Sequence, residues 1–238
     1  MPKVDKLRLA ILSDTHGNYP LDLLNVAPVD LLILAGDILA DPAEKGEFLS
    51  FLKWAQEAHA FVKNIVLVGG NHDAYLYEHD AAAQRALKES GVTYLRDNLS
   101  EIEGLKIYGF PWVREIGYWS FEVNDETMKR KIELIPEGVD ILVSHGPGYG
   151  ILDQDRKGVN AGCSDLKFKV LEIQPLLHLF GHIHEGAGHH YDARGNIHYV
   201  NAAALTPVDA WSASSYLPPV FVELEREAKE RWKVTAVY

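Results

Sequence analysis

The sequence has only one cysteine, Cys163, among its 238 residues. A single thiol excludes a disulfide within the chain and a metal site built from several thiolates. Basic residues are also scarce, since 23 Lys and Arg stand against 34 Asp and Glu and give a net charge of -11. This balance argues against a surface for non-specific binding to nucleic acid or anionic lipid. It is compatible with a small phosphorylated ligand, because bound cations would set the local field.

Long apolar runs are missing as well. No run approaches the length of a transmembrane helix, and residues 1–8 are charged and lead directly into a predicted strand. We therefore expect a cytoplasmic protein with no membrane partner. The length and the 47% of hydrophobic residues favour a single domain over residues 1–238 with a substantial buried core. The sequence leaves the oligomeric state open.

Apolar runs alternate with amphipathic stretches, which predicts an α/β fold with a mainly parallel core. The predicted central strands cover residues 7–12, 31–35, 65–68, 141–143 and 176–180. Helices are predicted at 20–25, 42–60, 81–90, 126–135 and 165–173. Further β segments are predicted at 92–94, 102, 105–108, 197–200, 220–224 and 232–237.

Each central strand is followed directly by side chains that can bind a metal ion. These side chains are Asp14 and His16, Asp37, Asn71 with His72, His145, and His182 with His184. Because ligand sites of parallel sheets gather at the carboxyl ends of the strands, we expect them to share one crevice. For His182 and His184 we predict an extended segment, in which alternate side chains point the same way.

Three of these donors are oxygens and four are imidazoles: Asp14, Asp37, Asn71, His16, His145, His182 and His184. This is more than one four-coordinate ion needs, and it suits two ions that share a carboxylate. Nitrogen and oxygen donors without sulfur favour Mn²⁺, Fe²⁺ or Zn²⁺. Taken singly, Asp14 or Asn71 is as readily a helix cap or a turn residue. Five such blocks after five strands argue against coincidence.

Five sequence blocks carry a resemblance to a known family. They are DxH at 14–16, GD at 36–37, GNHD at 70–73, HG at 145–146 and GHxH at 181–184. In this order they resemble the calcineurin-like metallophosphoesterases. The phrases SDTHGN, HGP and FGHIHEG are most similar to the brain-type metallophosphoesterase-domain-containing proteins, which are relatives of the class III cyclic-nucleotide phosphodiesterases. The resemblance implies a four-layer α-β-β-α sandwich.

The resemblance also implies which residues bind each of two divalent transition-metal ions. Asp14, His16, Asp37 and His184 would bind one ion, and Asp37, Asn71, His145 and His182 would bind the other. Asp37 would bridge the two. Some brain-type members lack one histidine of GHxH, whereas this chain has both. For His72 the implied role is general acid, and the alternative is a residue that supports the ligands through a hydrogen bond.

By the same resemblance the chain would be a phosphodiesterase that hydrolyses small or cyclic-nucleotide phosphodiesters, with Asp37 and His72 as catalytic residues. Its partner would be a small phosphate ester, such as a nucleotide. The alternatives are a phosphomonoesterase acting on nucleotides or small metabolites, and a non-catalytic binding or scaffold protein. One departure from the family pattern argues against a Ser/Thr protein phosphatase. The usual GDxxDR motif is absent, since Ala40 stands where the second aspartate is expected and no arginine follows Asp41.

The loop at 110–121 is rich in aromatic residues, including Trp112, Tyr118 and Trp119. Such side chains can stack on a nucleobase, although loop aromatics more often pack beneath their own loop. Arg114 is either a phosphate contact or a solvated surface residue, and Asn201 is a candidate to orient a metal-binding histidine from behind. Six further histidines are predicted to be surface or core residues: His59, His79, His178, His189, His190 and His198.

Overall fold

The structure is a computed structural model that describes residues 4–19, 21, 27–40, 45–205, 216–227 and 230–238. Its strands are β1 (Val4–Leu12), β2 (Val29–Ala35), β3 (Val62–Val68), β4 (Val92–Leu95), β5 (Asn98–Ile102), β6 (Leu105–Phe110), β7 (Val113–Arg114), β8 (Glu122–Val123), β9 (Ile141–Ser144), β10 (Leu177–Phe180), β11 (Gly188–Asp192), β12 (Ile197–Asn201), β13 (Val220–Glu227) and β14 (Lys233–Val237). Its helices are α1 (Lys45–Ala58), α2 (Ala74–Glu78), α3 (Asp80–Glu89), α4 (Asp125–Glu133) and α5 (Ser164–Ile173), and a 3-10 turn covers His184–Gly186. The helix predicted at 20–25 and the start of the one predicted at 42–60 fall largely outside the described residues.

The strands form two six-stranded sheets. The first has the order β14-β13-β1-β2-β3-β4 and the second has the order β11-β12-β10-β9-β6-β5. In the first sheet β1 to β4 run parallel, and β13 and β14 close one edge in antiparallel pairing. In the second sheet β12, β10, β9 and β6 run parallel, with antiparallel β11 and β5 at the edges. The predicted parallel core is therefore present in both sheets.

The alternating direction of side chains along the strands explains how the layers pack. In β1, Leu9 and Ile11 belong to the apolar cluster between the sheets, together with Leu179 of β10. Ala10 and Leu12 point the opposite way, into the apolar cluster that contains the buried face of α1. Since successive strand residues face opposite sides of a sheet, each sheet has one face toward the other sheet and one face toward helices.

The second sheet repeats this arrangement. Leu142 of β9 and Phe180 of β10 lie in the same cluster as Met128 of α4 and Leu166 of α5. Helices thus cover the outer face of each sheet, and the predicted four-layer α-β-β-α sandwich is confirmed. No helix in the described ranges combines the length and the apolar character needed to cross a membrane.

Several short elements were not predicted, including α2, β11 and the two-residue strands β7 and β8. Helix α2 has five residues and buries only Leu76, which is too short for a helical period to show. Strand β11 lies at a sheet edge, and none of its five residues is buried. The aromatic loop at 110–121 also contains β7, which pairs in parallel with β8 as a small separate ribbon.

The carboxyl ends of the central strands of both sheets meet at one edge of the sandwich. Backbone hydrogen bonds join the loops there: the Ser13 N–H donates to the Ala202 carbonyl at 2.9 Å, linking the first sheet to the second. The Gly181 N–H donates to the His145 carbonyl at 2.9 Å, and the Asp14 N–H donates to the Gly36 carbonyl at 2.9 Å. Loops from five strands are therefore held side by side.

Candidate metal centre

The backbone turns sharply at several of the predicted ligands. Asp14, His16, Asp37 and His182 have φ values of 54°, 43°, 51° and 67°. A non-glycine residue with positive φ is uncommon, and such conformations cluster at functional sites. Each turn redirects a side chain away from the strand alternation and into the crevice at the strand ends.

The extended segment predicted for residues 181–184 is wrong. His182 is in the left-handed region and His184 begins the 3-10 turn, so strand alternation does not bring the two imidazoles together. A close approach of this loop to β1 explains the turn, because a Cβ at Gly181 would collide with the Asp14 carboxylate and the Ser13 side chain. Glycine at 181 therefore lets the histidine loop reach the carboxylate of Asp14.

Three groups of side chains place ligand atoms within 4.8 Å of one another: Asp14, His16 and His184; His16, Asp37 and His72; and Asp37, His145 and His182. The Asn71 Oδ1 atom lies 3.0 Å from the His145 Nε2 atom. The structure thus brings all seven predicted ligands and His72 into one place. All of them except the fully buried Asp14 and His145 line a cleft of about 450 Å³, which is also lined by Asp155, Arg156, Lys157 and Glu185.

His145 is held in the tautomer that a metal ligand needs. Its Nδ1–H donates to the Ala35 carbonyl at 2.9 Å, and a carbonyl oxygen can only accept. In the neutral imidazole the lone pair is therefore on Nε2, which lies 3.0 Å from Asn71 Oδ1 and 3.2 Å from Asp37 Oδ2. A hydrogen bond that orients the ring from behind is the usual support of a metal-binding histidine.

In the protein alone, the negative charges of Asp14 and Asp37 are compensated by neighbouring imidazoles. Burial disfavours a charged imidazole at 145, but the Asp37 carboxylate outweighs it and raises the pKa of His145 to about 9. Burial likewise favours neutral carboxyl groups, yet the neighbouring His145 holds the pKa of Asp37 far below its usual range. The hydrogen bond from His184, at 3.2 Å, helps to lower the pKa of Asp14 to about 2.

The imidazoles of His182 and His16 are neutral, so each can offer a nitrogen lone pair to a metal ion. Burial lowers the pKa of His182 to about 4, and burial also lowers the pKa of His16. The Nε2 atom of His16 and the Nδ1 atom of His72 are buried and lack a hydrogen-bond partner among the described residues. Unpaired buried nitrogens are costly. Two carboxylates, neutral imidazoles and an amide oxygen without sulfur fit divalent Mn, Fe or Zn ions.

His72 lies at the boundary between the ligands and the open cleft. Its backbone N–H donates to Asp37 Oδ1 at 2.8 Å, and its ring centroid lies 4.7 Å from that of His16. On the other side the Trp119 ring packs against it, with centroids 4.4 Å apart and planes inclined by 31°. The ring therefore has a fixed position between a candidate ligand and an aromatic wall.

The residues of the aromatic loop have separate environments. Trp112 is buried and its Nε1–H donates to Asp97 at 2.7 Å, as expected for an aromatic residue that packs beneath its loop. Trp119 lines the cleft, whereas Tyr118 is fully exposed and is not among the cleft residues. Arg114 is exposed and forms a salt bridge of 3.2 Å with Asp125, so it is a surface residue with a partner.

Two buried polar residues brace the site loops. Asn201 Nδ2 donates to the Ile183 carbonyl at 2.8 Å, which places it behind the histidine loop, where an orienting residue was predicted.

Asp73 was not singled out from the sequence, although it ends the GNHD block. Its carboxylate accepts the N–H groups of Leu39 at 2.9 Å and Gly70 at 2.8 Å, and thereby ties two ligand-bearing loops together.

The histidines outside the blocks stay away from the crevice. His178 is a core residue whose Nε2 atom lies 2.8 Å from Ser144 Oγ. His59, His79, His189 and His190 are exposed and His198 is partly buried. Cys163 is free and buried, and burial raises the pKa of its thiol.

The family model for calcineurin-like phosphoesterases matches residues 7–186. Among curated proteins, metallophosphoesterase domain-containing protein 1 of Homo sapiens is 32% identical over 247 residues, covering 91% of this chain and 71% of that protein. A UPF0046 protein of Caenorhabditis elegans is 31% identical over 217 residues, covering 78% of this chain and 53% of that protein. The chain thus spans only about half the length of this second relative.

Solved structures with the same fold are more distant in sequence. The 5'-nucleotidase precursor of Thermus thermophilus is 13% identical with a TM-score of 0.52, covering 98% of this chain and 54% of that chain. GAP50 of Plasmodium, titled the anchor in the inner membrane complex, is 14% identical with a TM-score of 0.52. The match covers 98% of this chain and 88% of that chain. At such identities the likeness concerns the fold alone.

Metal binding should release protons near neutral pH. Because the pKa of His145 is about 9 in the metal-free site and that of His184 is raised, an incoming Mn²⁺ ion must displace a proton to reach Nε2. The apparent affinity should therefore increase as the pH rises, by up to about tenfold per pH unit for each proton released. Calorimetric titration in two buffers with different ionisation enthalpies counts these protons. An affinity that is the same between about pH 6.5 and about pH 8.5 would contradict the prediction.

Asp73→Ala should weaken metal binding as well as the fold. It leaves two buried N–H groups without an acceptor, which costs about 1–3 kcal/mol for each such group, and it frees the loops that carry Asp37 and Asn71. Asp153→Ala is the matched control, because Asp153 is also buried and accepts two N–H groups, from Gly150 and Gly162, both at 2.9 Å. Both variants should lose stability in urea unfolding, but only Asp73→Ala should lose Mn²⁺ affinity. Equal affinities in the two variants would show that Asp73 merely stabilises the fold.

Proposed function

This chain belongs to the calcineurin-like phosphoesterase family, and we propose that it is a two-metal phosphodiesterase acting on small or cyclic-nucleotide phosphodiesters. The proposal rests mainly on one observation, the position of Asp37. Its carboxylate shares one group of ligand atoms with His16 and His72 and another with His145 and His182. A carboxylate that faces two sets of donors supports the proposal that Asp37 bridges two ions.

The remaining donors divide on either side of Asp37. On one side Asp14, His16 and His184 would complete the site of one ion; on the other Asn71, His145 and His182 would complete the second. When bound, two divalent cations supply Lewis acidity toward the phosphoryl oxygens and lower the pKa of a water molecule. The protein contributes a fixed arrangement of donors, in which hydrogen bonds to Ala35 and His72 hold His145 and Asp37 in position.

The protein groups in the cleft account for the rest of the proposed reaction. His72 reaches the open side of the crevice and is held by Trp119, so we assign it as the general acid that protonates the leaving oxygen. Positioning and charge stabilisation suffice for most of the acceleration, since phosphoryl transfer needs little covalent chemistry from the protein.

The size of the cleft is compatible with a diester as substrate. A diester carries two organic groups, and the cleft has about 450 Å³ of space lined by Ile116, Trp119 and Arg156 beside the candidate ligands. The second candidate is a phosphomonoesterase, which Lys157 in the cleft lining favours because a monoester carries more negative charge, whereas Arg156 is paired with Glu185 at 2.9 Å. A non-catalytic binding protein is disfavoured by the complete set of donors.

A panel of substrates tests the proposed activity. With Mn²⁺ added, the protein should hydrolyse bis(4-nitrophenyl) phosphate and a cyclic nucleotide with a higher kcat/KM than 4-nitrophenyl phosphate, and a chelator should abolish all three activities. A higher kcat/KM for the monoester would favour the second candidate. Absence of hydrolysis in a protein that holds its metal would favour the non-catalytic alternative.

His72→Ala should impair substrates with poor leaving groups far more than activated aryl esters. An aryl oxide of low pKa departs unaided, whereas an alkyl or ribose oxygen needs a proton, and general acid catalysis is typically worth ~10²–10⁴-fold. The measurement is kcat for both types of diester with metal content determined in parallel, and His79→Ala serves as an exposed-histidine control. Equal losses on both types of substrate, or loss of metal, would exclude His72 as the acid.

A further inference from the structure

An apolar pocket opens directly beside the candidate metal centre. It has a volume of about 120 Å³ and shares two residues, Ile116 and His182, with the cleft lined by the candidate ligands. Because His182 belongs to the ligand group of Asp37 and His145, one lining residue of the pocket is itself a candidate metal ligand. A group attached to a phosphoryl unit in the cleft can therefore reach into it.

The walls of the pocket are preformed. Met128 and Leu166 are 1% and 2% exposed and line it from α4 and α5. The Trp112 ring is fixed by its hydrogen bond to Asp97, and Lys131 binds the same carboxylate at 2.6 Å while lying 4.1 Å from the centre of the ring. A ligand would thus enter a space that the surrounding packing already holds open, which lowers the cost of binding.

The lining differs in chemistry from the adjoining cleft. The pocket wall is mostly aliphatic and aromatic, and among the described residues that line it Arg114 alone is formally charged and is paired with Asp125. The cleft, in contrast, is bordered by Asp155, Arg156 and Lys157. Entering such a pocket is favourable for an uncharged apolar group, because its surface leaves water. A charged group would lose its hydration without finding an unpaired group of opposite charge.

We propose that this pocket is the specificity subsite for an uncharged apolar group of about one aromatic ring, joined to the phosphoryl group that the metal centre binds. The inference rests on the proposed function, and it names the substrate class: phosphate esters with a small aryl or comparable apolar substituent. The size agrees with the physics of apolar cavities, because one of about 150 Å³ binds benzene and this pocket of about 120 Å³ also has an open mouth.

Two phosphonates distinguish binding in the pocket from binding at the metal centre. Phenylphosphonate and methylphosphonate present the same anionic group to the metals, differ only in the ring, and have a P–C bond in place of the scissile ester. With Mn²⁺-loaded protein, calorimetric titration should show phenylphosphonate binding about tenfold more tightly or better, as burial of the ring's apolar surface implies.

A variant that fills the pocket provides the decisive comparison. Ala161 is exposed in the lining, and its N–H donates to the Asp153 carbonyl at 2.9 Å, a bond that Ala161→Phe retains. This variant should lose the preference for phenylphosphonate and keep the affinity for methylphosphonate, which also shows that the site is intact. The control is Val159→Phe, because Val159 belongs to the same loop, is 59% exposed and lies outside the lining; it should keep the preference.

The outcomes distinguish failure of the pocket from failure of the proposed function. Equal affinity of the wild type for both phosphonates, or a preference that survives in Ala161→Phe, would overturn the pocket while leaving the phosphoesterase intact. If neither phosphonate binds to protein that holds Mn²⁺, both the proposed function and the subsite are wrong.

Discussion

The buried charge of Asp37 is the constraint on which the site depends. A carboxylate that is 2% exposed is unfavourable unless positive charge and hydrogen bonds surround it. The structure supplies the His72 N–H at 2.8 Å and the His145 imidazole at 3.2 Å, with the second carboxylate of Asp14 in the same crevice. In the protein alone the imidazoles of His145 and His184 compensate this negative charge, since the pKa of each is raised, and divalent cations would take over that role.

The fold produces this concentration through the meeting of two sheets. The first sheet contributes Asp14, His16, Asp37 and Asn71, and the second contributes His145, His182 and His184. Neither sheet holds a full set of donors, so the packing of their inner apolar faces and the hydrogen bonds between their loops determine the distances within the centre. Unusual backbone conformations at several donors are retained because the dense cores beneath the loops stabilise them.

The sequence was sufficient to predict the central strands and the polar blocks that follow them, because both rest on local patterns. The layer arrangement was implied by the family resemblance. The sequence was not sufficient for features that tertiary contacts decide. The left-handed turn at His182 follows from the closeness of Gly181 to β1, and the bracing by Asp73 follows from the neighbouring positions of two loops that are distant in sequence. Trp112 and Trp119 look equivalent in the sequence, yet one is buried and the other faces the cleft.

The most direct test of the account is the metal content of Asp37→Asn beside that of Asp30→Asn, each measured by elemental analysis after loading with Mn²⁺ and gel filtration. Asp30 lies near the opposite end of β2 and accepts the Arg8 N–H at 2.9 Å, so its amide variant tests loss of a carboxylate away from the centre. If Asp37 bridges two ions, the wild type and Asp30→Asn should each hold two ions per chain, as expected of a two-metal site, whereas Asp37→Asn should hold at most one and lose turnover. Two ions and near-normal turnover in Asp37→Asn would contradict the bridging role on which the proposed function rests.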